Sequence, residues 1–385
     1  MRNFIAVYPL LLVFQLAAQA PPSAGRGAPP GRGAPPQPVV SPEVLPDRRV
    51  IVRLYAPRAQ EVKTYVEGAV SLTKGESGVW EATLGPLDPG AYRYGFTVDG
   101  ASVTDPCNIE MERMQVFARS ILYVPGAEFM DTKNVPHGAV AVVTYHSNVL
   151  KKVRRFHVYT PPGYEANQQK FPVLYLLHGA NESDDSWSTV GRANFILDNL
   201  IADGKAVPMI VVMPNGHIDQ TPPNIGGRGN AGGPPPLRGE FNDFPNEFVT
   251  DIMPYVESHY RVLTDRPHRA IAGLSMGGTQ TLSIAFANLD RFSAIGVFSS
   301  GILGGNVADW EKSRVAALDD PKLKKGLKTI WFSTGSDDSL IGISKATVEM
   351  LNKHGFSATF KESTGAHTWT NWRNYFHEVA SQLFR

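Results

Sequence analysis

The sequence predicts a chain in two folded parts: a small all-β sandwich, then an α/β domain built on a mostly parallel sheet. Three observations predict this. Between residues 41 and 126, short alternating strands are separated by turn residues. Beyond residue 137, continuous apolar runs of strand length alternate with amphipathic stretches of helix length. Within that second part, a Gly-x-Ser-x-Gly turn centred on Ser275 follows one apolar run and opens a helix.

The first twenty residues carry Arg2, an apolar run over 4–16 and a small-residue stretch at 17–20, the order of a secretory signal peptide. The run is short for a membrane span and contains Pro9, and no cysteine follows it to carry a lipid anchor. A secreted or periplasmic protein with no membrane anchor is expected. Residues 21–40 are almost entirely Pro, Gly, Ala and Arg, a composition that buries no core and reads as an extended linker.

In the β part, 49–55 (RVIVRLY), 62–66 (VKTYV), 78–84 (GVWEATL) and 91–98 (AYRYGFTV) alternate apolar with polar residues. Ala56-Pro57, Gly75, Asp88-Pro89-Gly90 and Asp99-Gly100 separate them. Trp80 and Tyr94 suit the interior of such a sandwich.

The α/β part, residues 137–385, supplies apolar runs at 171–178, 207–214, 270–273 and 328–333, with helical patterns at 193–203, 248–259 and 279–288. A parallel sheet covered on both faces places function at the carboxyl ends of its strands.

Composition narrows the chemistry. Net charge is +1, from 37 basic and 36 acidic side chains, which argues against a nucleic-acid partner. Cys107 is the one cysteine, and none of the ten histidines sits in a His-Glu-x-x-His helix, so neither metal nor cofactor is expected.

The turn at Ser275 lifts a hydroxyl clear of the sheet edge, with Gly273 and Gly277 where a Cβ would collide. Serine needs a base, and the base needs a group that fixes its tautomer. Of the histidines after Ser275, His354 sits at a helix end and His377 inside the last helix. His367 alone occupies a loop after a strand-like stretch, and is the candidate base. For the acid, Asp337 and Asp338 both follow the strand ending near Ser333, and position does not choose between them. Two amides are needed for the oxyanion. Met276 follows the nucleophile, and the His178-Gly179-Ala180 loop offers the amide of Ala180. Trp187 and Trp369 are candidate walls of the substrate pocket, with packing as the alternative for Trp369; Trp372 is assigned to the core. The Gly/Pro-rich stretch 218–238 is expected to border the pocket.

The stretches PVLYLLHG, GRANFILDNLIADGK, VVMPNG, TDRPHRAIAGLSMGG, STGSDDSLIG and GAHTW together resemble the feruloyl esterase and acetylxylan esterase group of esterase-D-like α/β-hydrolases. The pattern W-x-x-x-L, PG-x-Y-x-Y-x-F-x-VDG and DP over residues 80–106 resembles the early-set immunoglobulin-like domains that precede catalytic domains in carbohydrate-active enzymes. The first resemblance implies an α/β-hydrolase fold and an acid at the third position after Gly335, hence Asp338. It further implies a serine esterase acting on ester-substituted plant polysaccharide, with feruloyl arabinoxylan as the expected substrate. Acetylated xylan and siderophore esters share the scaffold, and a glycan-binding protein with an inert hydrolase domain is the rival of another class. The second resemblance implies a glycan-binding or substrate-positioning role for residues 41–126.

Overall fold

The computed structural model describes residues 39–66, 68–218, 240–303 and 307–385. The expected leader, nearly all of the linker, and residues 219–238 of the Gly/Pro-rich stretch lie outside the described residues.

Ten strands form the β part: β1 (Glu43–Val44), β2 (Val50–Tyr55), β3 (Val62–Tyr65), β4 (Ala69–Ser71), β5 (Thr73–Lys74), β6 (Val79–Leu84), β7 (Gly90–Val98), β8 (Ala101–Val103), β9 (Met111–Arg113) and β10 (Ala118–Val124). One sheet runs β1-β2-β6-β5; the other runs β4-β3-β7-β10-β9, with β8 paired to β7. All pairings are antiparallel, as short hairpin connections allow. Alternation turns Val50, Val52 and Leu54 inward against Phe96 and Leu122 of the other sheet. Trp80 and Tyr94 lie in this core, and the Trp80 indole donates to the Ala56 carbonyl at 2.9 Å.

The α/β part continues with β11 (Ala139–Ser147), β12 (Lys152–Thr160), β13 (Val173–Leu177), α1 (Ala193–Ala202) and β14 (Ile210–Pro214). A helical segment follows, α2 (Glu240–Glu247), a wide π turn (Phe248–Ile252) and α3 (Met253–His259). Next come β15 (Arg269–Leu274), α4 (Met276–Ala287), β16 (Ala294–Phe298), α5 (Val307–Asp319), α6 (Pro321–Lys325), β17 (Thr329–Gly335), α7 (Ile341–Lys353), β18 (Ala358–Ser363) and α8 (Trp369–Ala380).

Eight strands form one sheet in the order β11-β12-β14-β13-β15-β16-β17-β18. The six from β14 to β18 are parallel; β11 and β12 are antiparallel. The parallel strands β13, β14, β15 and β16 are buried along their whole length, as burial on both faces requires. Ile196, Leu197 and Leu200 of α1 and Phe376 and Val379 of α8 pack on one face. Val256, Leu282, Leu318 and Leu351 pack on the other.

In the α/β part, β11, β12 in its charged first half and β16 escape the sequence reading; in the β part β1, β4, β5, β8, β9 and β10 do. Helix α4 begins at Met276, earlier than the expected 279, because the turn at Ser275 leads straight into it. The β and α/β parts share a core. Ala91 and Met130 are buried in the cluster that also holds Trp187 and Phe376, and the Arg373 guanidinium of α8 donates to the carbonyls of Ala91 and Val190 at 2.9 Å each.

Candidate active site

Ser275 stands between β15 and α4 with φ 51° and ψ −117°, a conformation an L-residue reaches only under strain. Its neighbours make the turn possible. A Cβ on Gly273 would lie 2.4 Å from the Gly277 carbonyl oxygen, across the turn. A Cβ on Gly277 would lie 2.5 Å from the His178 oxygen, so this glycine lets α4 approach the loop after β13. The Ser275 amide donates to the Phe298 carbonyl at 2.9 Å, and the Ser300 hydroxyl donates to the Ser275 carbonyl at 2.6 Å.

Three candidates from three strand ends meet here. His367 Nε2 lies 3.0 Å from Ser275 Oγ, and His367 Nδ1 lies 2.8 Å from Asp338 Oδ2. Asp338 is 2% exposed, and its Oδ1 accepts the Leu340 amide at 2.9 Å. Asp337 is exposed. The Trp372 ring stands edge-on to His367, centroids 4.9 Å apart, and its N–H donates to Ser299 Oγ at 2.9 Å. In this geometry the imidazole accepts the serine proton at Nε2 while the carboxylate holds Nδ1–H.

The other two histidines are placed elsewhere. His354 lies between Asp319 and Glu311, 2.7 and 2.9 Å away, and the Asp319 hydrogen bond raises its pKa. His377 is half-buried in α8 against Phe129, and burial lowers its pKa.

The loop after β13 abuts the serine, since a Cβ on Gly179 would come within 3.5 Å of Ser275 Cβ. His178 is buried and bridges two backbones: Nδ1–H donates to the Gly179 carbonyl at 2.8 Å, and Nε2 accepts the Gly216 amide at 2.9 Å. That pairing requires one neutral tautomer, and burial pushes the ring's pKa down, away from protonation. Because His178 holds the Gly179 carbonyl, the N–H of the same peptide, that of Ala180, is directed to the opposite side. Met276 supplies the first amide of α4, beside the serine.

Trp187, expected as a pocket wall, is packed instead, and Trp369 takes the packing alternative beside Glu182. Trp187 is 1% exposed, donates to the Leu177 carbonyl at 3.1 Å and meets Trp369 edge-on at 5.0 Å. A ring so enclosed has no face for a substrate. Trp369 is also buried, with its N–H committed to Glu182 Oε1 at 2.8 Å. Sequence reasoning missed Glu182, Arg93 and the bridging role of His178, because each has a partner far away in the chain: Arg93 and Trp369 for Glu182, Gly216 for His178.

A strained serine elbow at the carboxyl edge of a parallel sheet, carrying a Ser–His–Asp relay on the ends of β15, β18 and β17, defines the α/β-hydrolase class. Residues 147–383 match the Esterase family ("Putative esterase"), and the chain belongs to that family. An endo-1,4-beta-xylanase/feruloyl esterase of Xylanibacter ruminicola is 32% identical over 86% of this chain. The chain spans 44% of that relative's length. A ferulic acid esterase of Anaeromyces mucronatus, solved with ferulic acid, is 25% identical, with a TM-score of 0.57 over 68% of this chain and 96% of that one. The enterobactin esterase of Shigella flexneri, solved with enterobactin, is 17% identical and shares the fold, with a TM-score of 0.57 over 87% of this chain and 92% of that one.

Proposed function

We propose that the protein is an exported serine esterase that removes ester groups from plant cell-wall polysaccharide, feruloyl groups on arabinoxylan first among them. The observation that carries the chemistry is the unbroken relay from Ser275 Oγ through His367 to Asp338, at 3.0 and 2.8 Å. Ser275 Oγ attacks the ester carbonyl carbon and its proton passes to His367 Nε2. The amides of Ala180 and Met276 stabilise the oxyanion. Collapse of the tetrahedral species expels the sugar hydroxyl, which takes the proton from His367. Water, deprotonated by the same imidazole, then attacks the acyl-enzyme and releases the carboxylic acid.

The substrate reading is supported by the names of the Xylanibacter and Anaeromyces relatives, and export by the leader-like residues 1–20. A siderophore ester is the second reading, favoured by the fold likeness to the enterobactin esterase, which extends over 87% of the chain. Rates on methyl ferulate, acetylated xylan and a catecholate trilactone separate the readings, and methyl ferulate is expected to be turned over fastest. Ser275→Ala is expected to lower kcat by about 10⁴-fold or more with the fold intact and to abolish fluorophosphonate labelling. Activity within tenfold of wild type would sink the mechanism.

A further inference from the structure

The loop that carries Ala180 is held from outside the α/β part. Arg93 of β7 forks onto Glu112 of β9, Nε to Oε2 and Nη2 to Oε1 at 2.6 Å each, and Nη2 also reaches Glu182 Oε1 at 3.1 Å. Glu182 belongs to the loop itself. Its Oε2 accepts the Gly179 amide at 3.0 Å, and its Oε1 accepts the Trp369 indole N–H at 2.8 Å. Glu112 also accepts from Ser186 Oγ at 2.5 Å. Backbone ties accompany these. The Gln115 amide donates to the Asn181 carbonyl at 3.2 Å, the Arg113 amide to Asp185 Oδ2 at 3.1 Å, and Ser183 Oγ to the Arg113 carbonyl at 2.8 Å.

Glu112 is fully buried and Glu182 is 4% exposed. Taking two carboxylates out of water is costly, and one guanidinium shared between them offsets that cost only if the geometry is held. Burial pushes the Glu182 carboxyl upward, but three donors and no acceptor surround its oxygens, which is the environment of an ionised group. A plain tether would need none of this, since Ala91 and Met130 already give the two parts a shared apolar core.

The orientation of one peptide follows. The Gly179 amide is spent on Glu182 and cannot reach an oxyanion. The carbonyl of the next peptide is spent on His178, which leaves the Ala180 amide free to face the serine. We propose that the β-sandwich is a positioning element of the esterase, with Arg93 and Glu182 as positioning residues that fix the Gly179–Ala180 peptide for the oxyanion. This rests on the reading of the Ala180 amide as an oxyanion donor.

The test uses the full chain and a small ester, 4-nitrophenyl acetate, whose acyl group makes no use of a glycan site. Arg93→Met removes the fork. Arg93→Lys keeps the charge without the bidentate geometry. Glu182→Gln leaves one end of the side chain presenting N–H to a donor, because both carboxylate oxygens accept. Loss of a whole oxyanion donor costs about 10²–10³-fold in kcat, so a displaced one is expected to cost about 10- to 100-fold. KM is expected to stay within about threefold, with Arg93→Lys between Arg93→Met and wild type. Affinity for a trifluoromethyl ketone, which forms the tetrahedral oxyanion on Ser275, is expected to fall in step with kcat/KM. Melting curves choose an assay temperature at which each variant is folded, and where Arg93→Met fails to fold, Glu182→Gln and Arg93→Lys carry the test. Folded variants with kcat and ketone affinity within twofold of wild type overturn the positioning role and leave the triad and oxyanion readings standing. A fall in kcat with unchanged ketone affinity overturns the oxyanion reading, and the inference with it.

Discussion

Gly277 sets the distance between the two proposed oxyanion donors. It directly follows Met276 at the start of α4, and it faces His178, two residues before Ala180. A Cβ on Gly277 would lie 2.5 Å from the His178 oxygen and 2.7 Å from the Leu177 oxygen, both rigid backbone atoms. Ordinary contact begins at 3.4 Å, so Gly277→Ala must part helix and loop by about 0.9 Å. Overpacking of this kind costs about 1–3 kcal/mol of stability. A misplacement near 1 Å at a reacting centre costs about 10²-fold in rate. The expected outcome is therefore a kcat for 4-nitrophenyl acetate lowered by about 30- to 100-fold, with a thermal midpoint a few degrees below wild type. Gly342→Ala is the control, because nothing lies within 4 Å of its Cβ position. Steady-state kinetics below both melting transitions, with circular dichroism as the folding check, make the measurement. A folded Gly277→Ala variant with kcat within threefold of wild type would refute the argument that this close approach aligns the donors.

Two further predictions concern charge. Asp338→Asn is expected to lower kcat by about 10⁴-fold, because an amide there no longer selects the Nδ1–H tautomer of His367. Asp337→Asn, at an exposed position, is expected to stay within twofold, and equal losses in the two variants would remove the distinction between them. Stability is expected to fall as pH drops below 6.5. Burial lowers the pKa of His178, and burial with the neighbouring His178 and Arg154 lowers that of His217 to about 3. The unfolded chain therefore takes up these protons first. Their contribution is complete above the ordinary histidine pKa and is lost as pH falls towards the folded values, at up to about 1.4 kcal/mol per pH unit for each ring. Urea unfolding at pH 7, 6 and 5 measures the slope, and His217→Phe is expected to flatten it; an unchanged slope would count against this account.

The nucleophile was legible because everything that defines its turn is local: strand, glycines and helix lie within twenty residues of chain. The choice between Asp337 and Asp338 was not local. It depends on a turn in which the Asp338 amide bonds the Gly335 carbonyl and Leu340 caps the carboxylate, and only the family resemblance pointed to it. Strand β12 was hidden by its charges. Arg154 and Arg155 interrupt the apolar pattern, yet the buried carboxylates of Glu247 and Asp184 receive them in ion pairs. Strand β11 was hidden by exposure, since most of its residues face solvent at the sheet edge. Trp187 misled because an aromatic residue in a loop near the oxyanion segment suits a pocket wall. Only the Leu177 carbonyl and the surrounding rings show that it is a packing residue. Glu182 has one local partner, the Gly179 amide, but the two that mark its role are distant: Arg93 is 89 residues away and Trp369 is 187.

Those separations bear on when the candidate site is assembled. Trp369 and Arg373, near the end of the chain, close onto Glu182 and onto Ala91 of the sandwich, the latter across 282 residues. His367 arrives on the same final stretch, just ahead of α8. Contacts of such long range carry a loop-closure entropy cost that the local strands and helices they join do not. A nascent or partly refolded chain can thus hold its sandwich, most of its sheet and its serine turn while the proton acceptor and the loop's anchor are still missing. On the proposed mechanism, ester cleavage during refolding is expected to appear with the docking of α8 rather than with the first formation of the sheet.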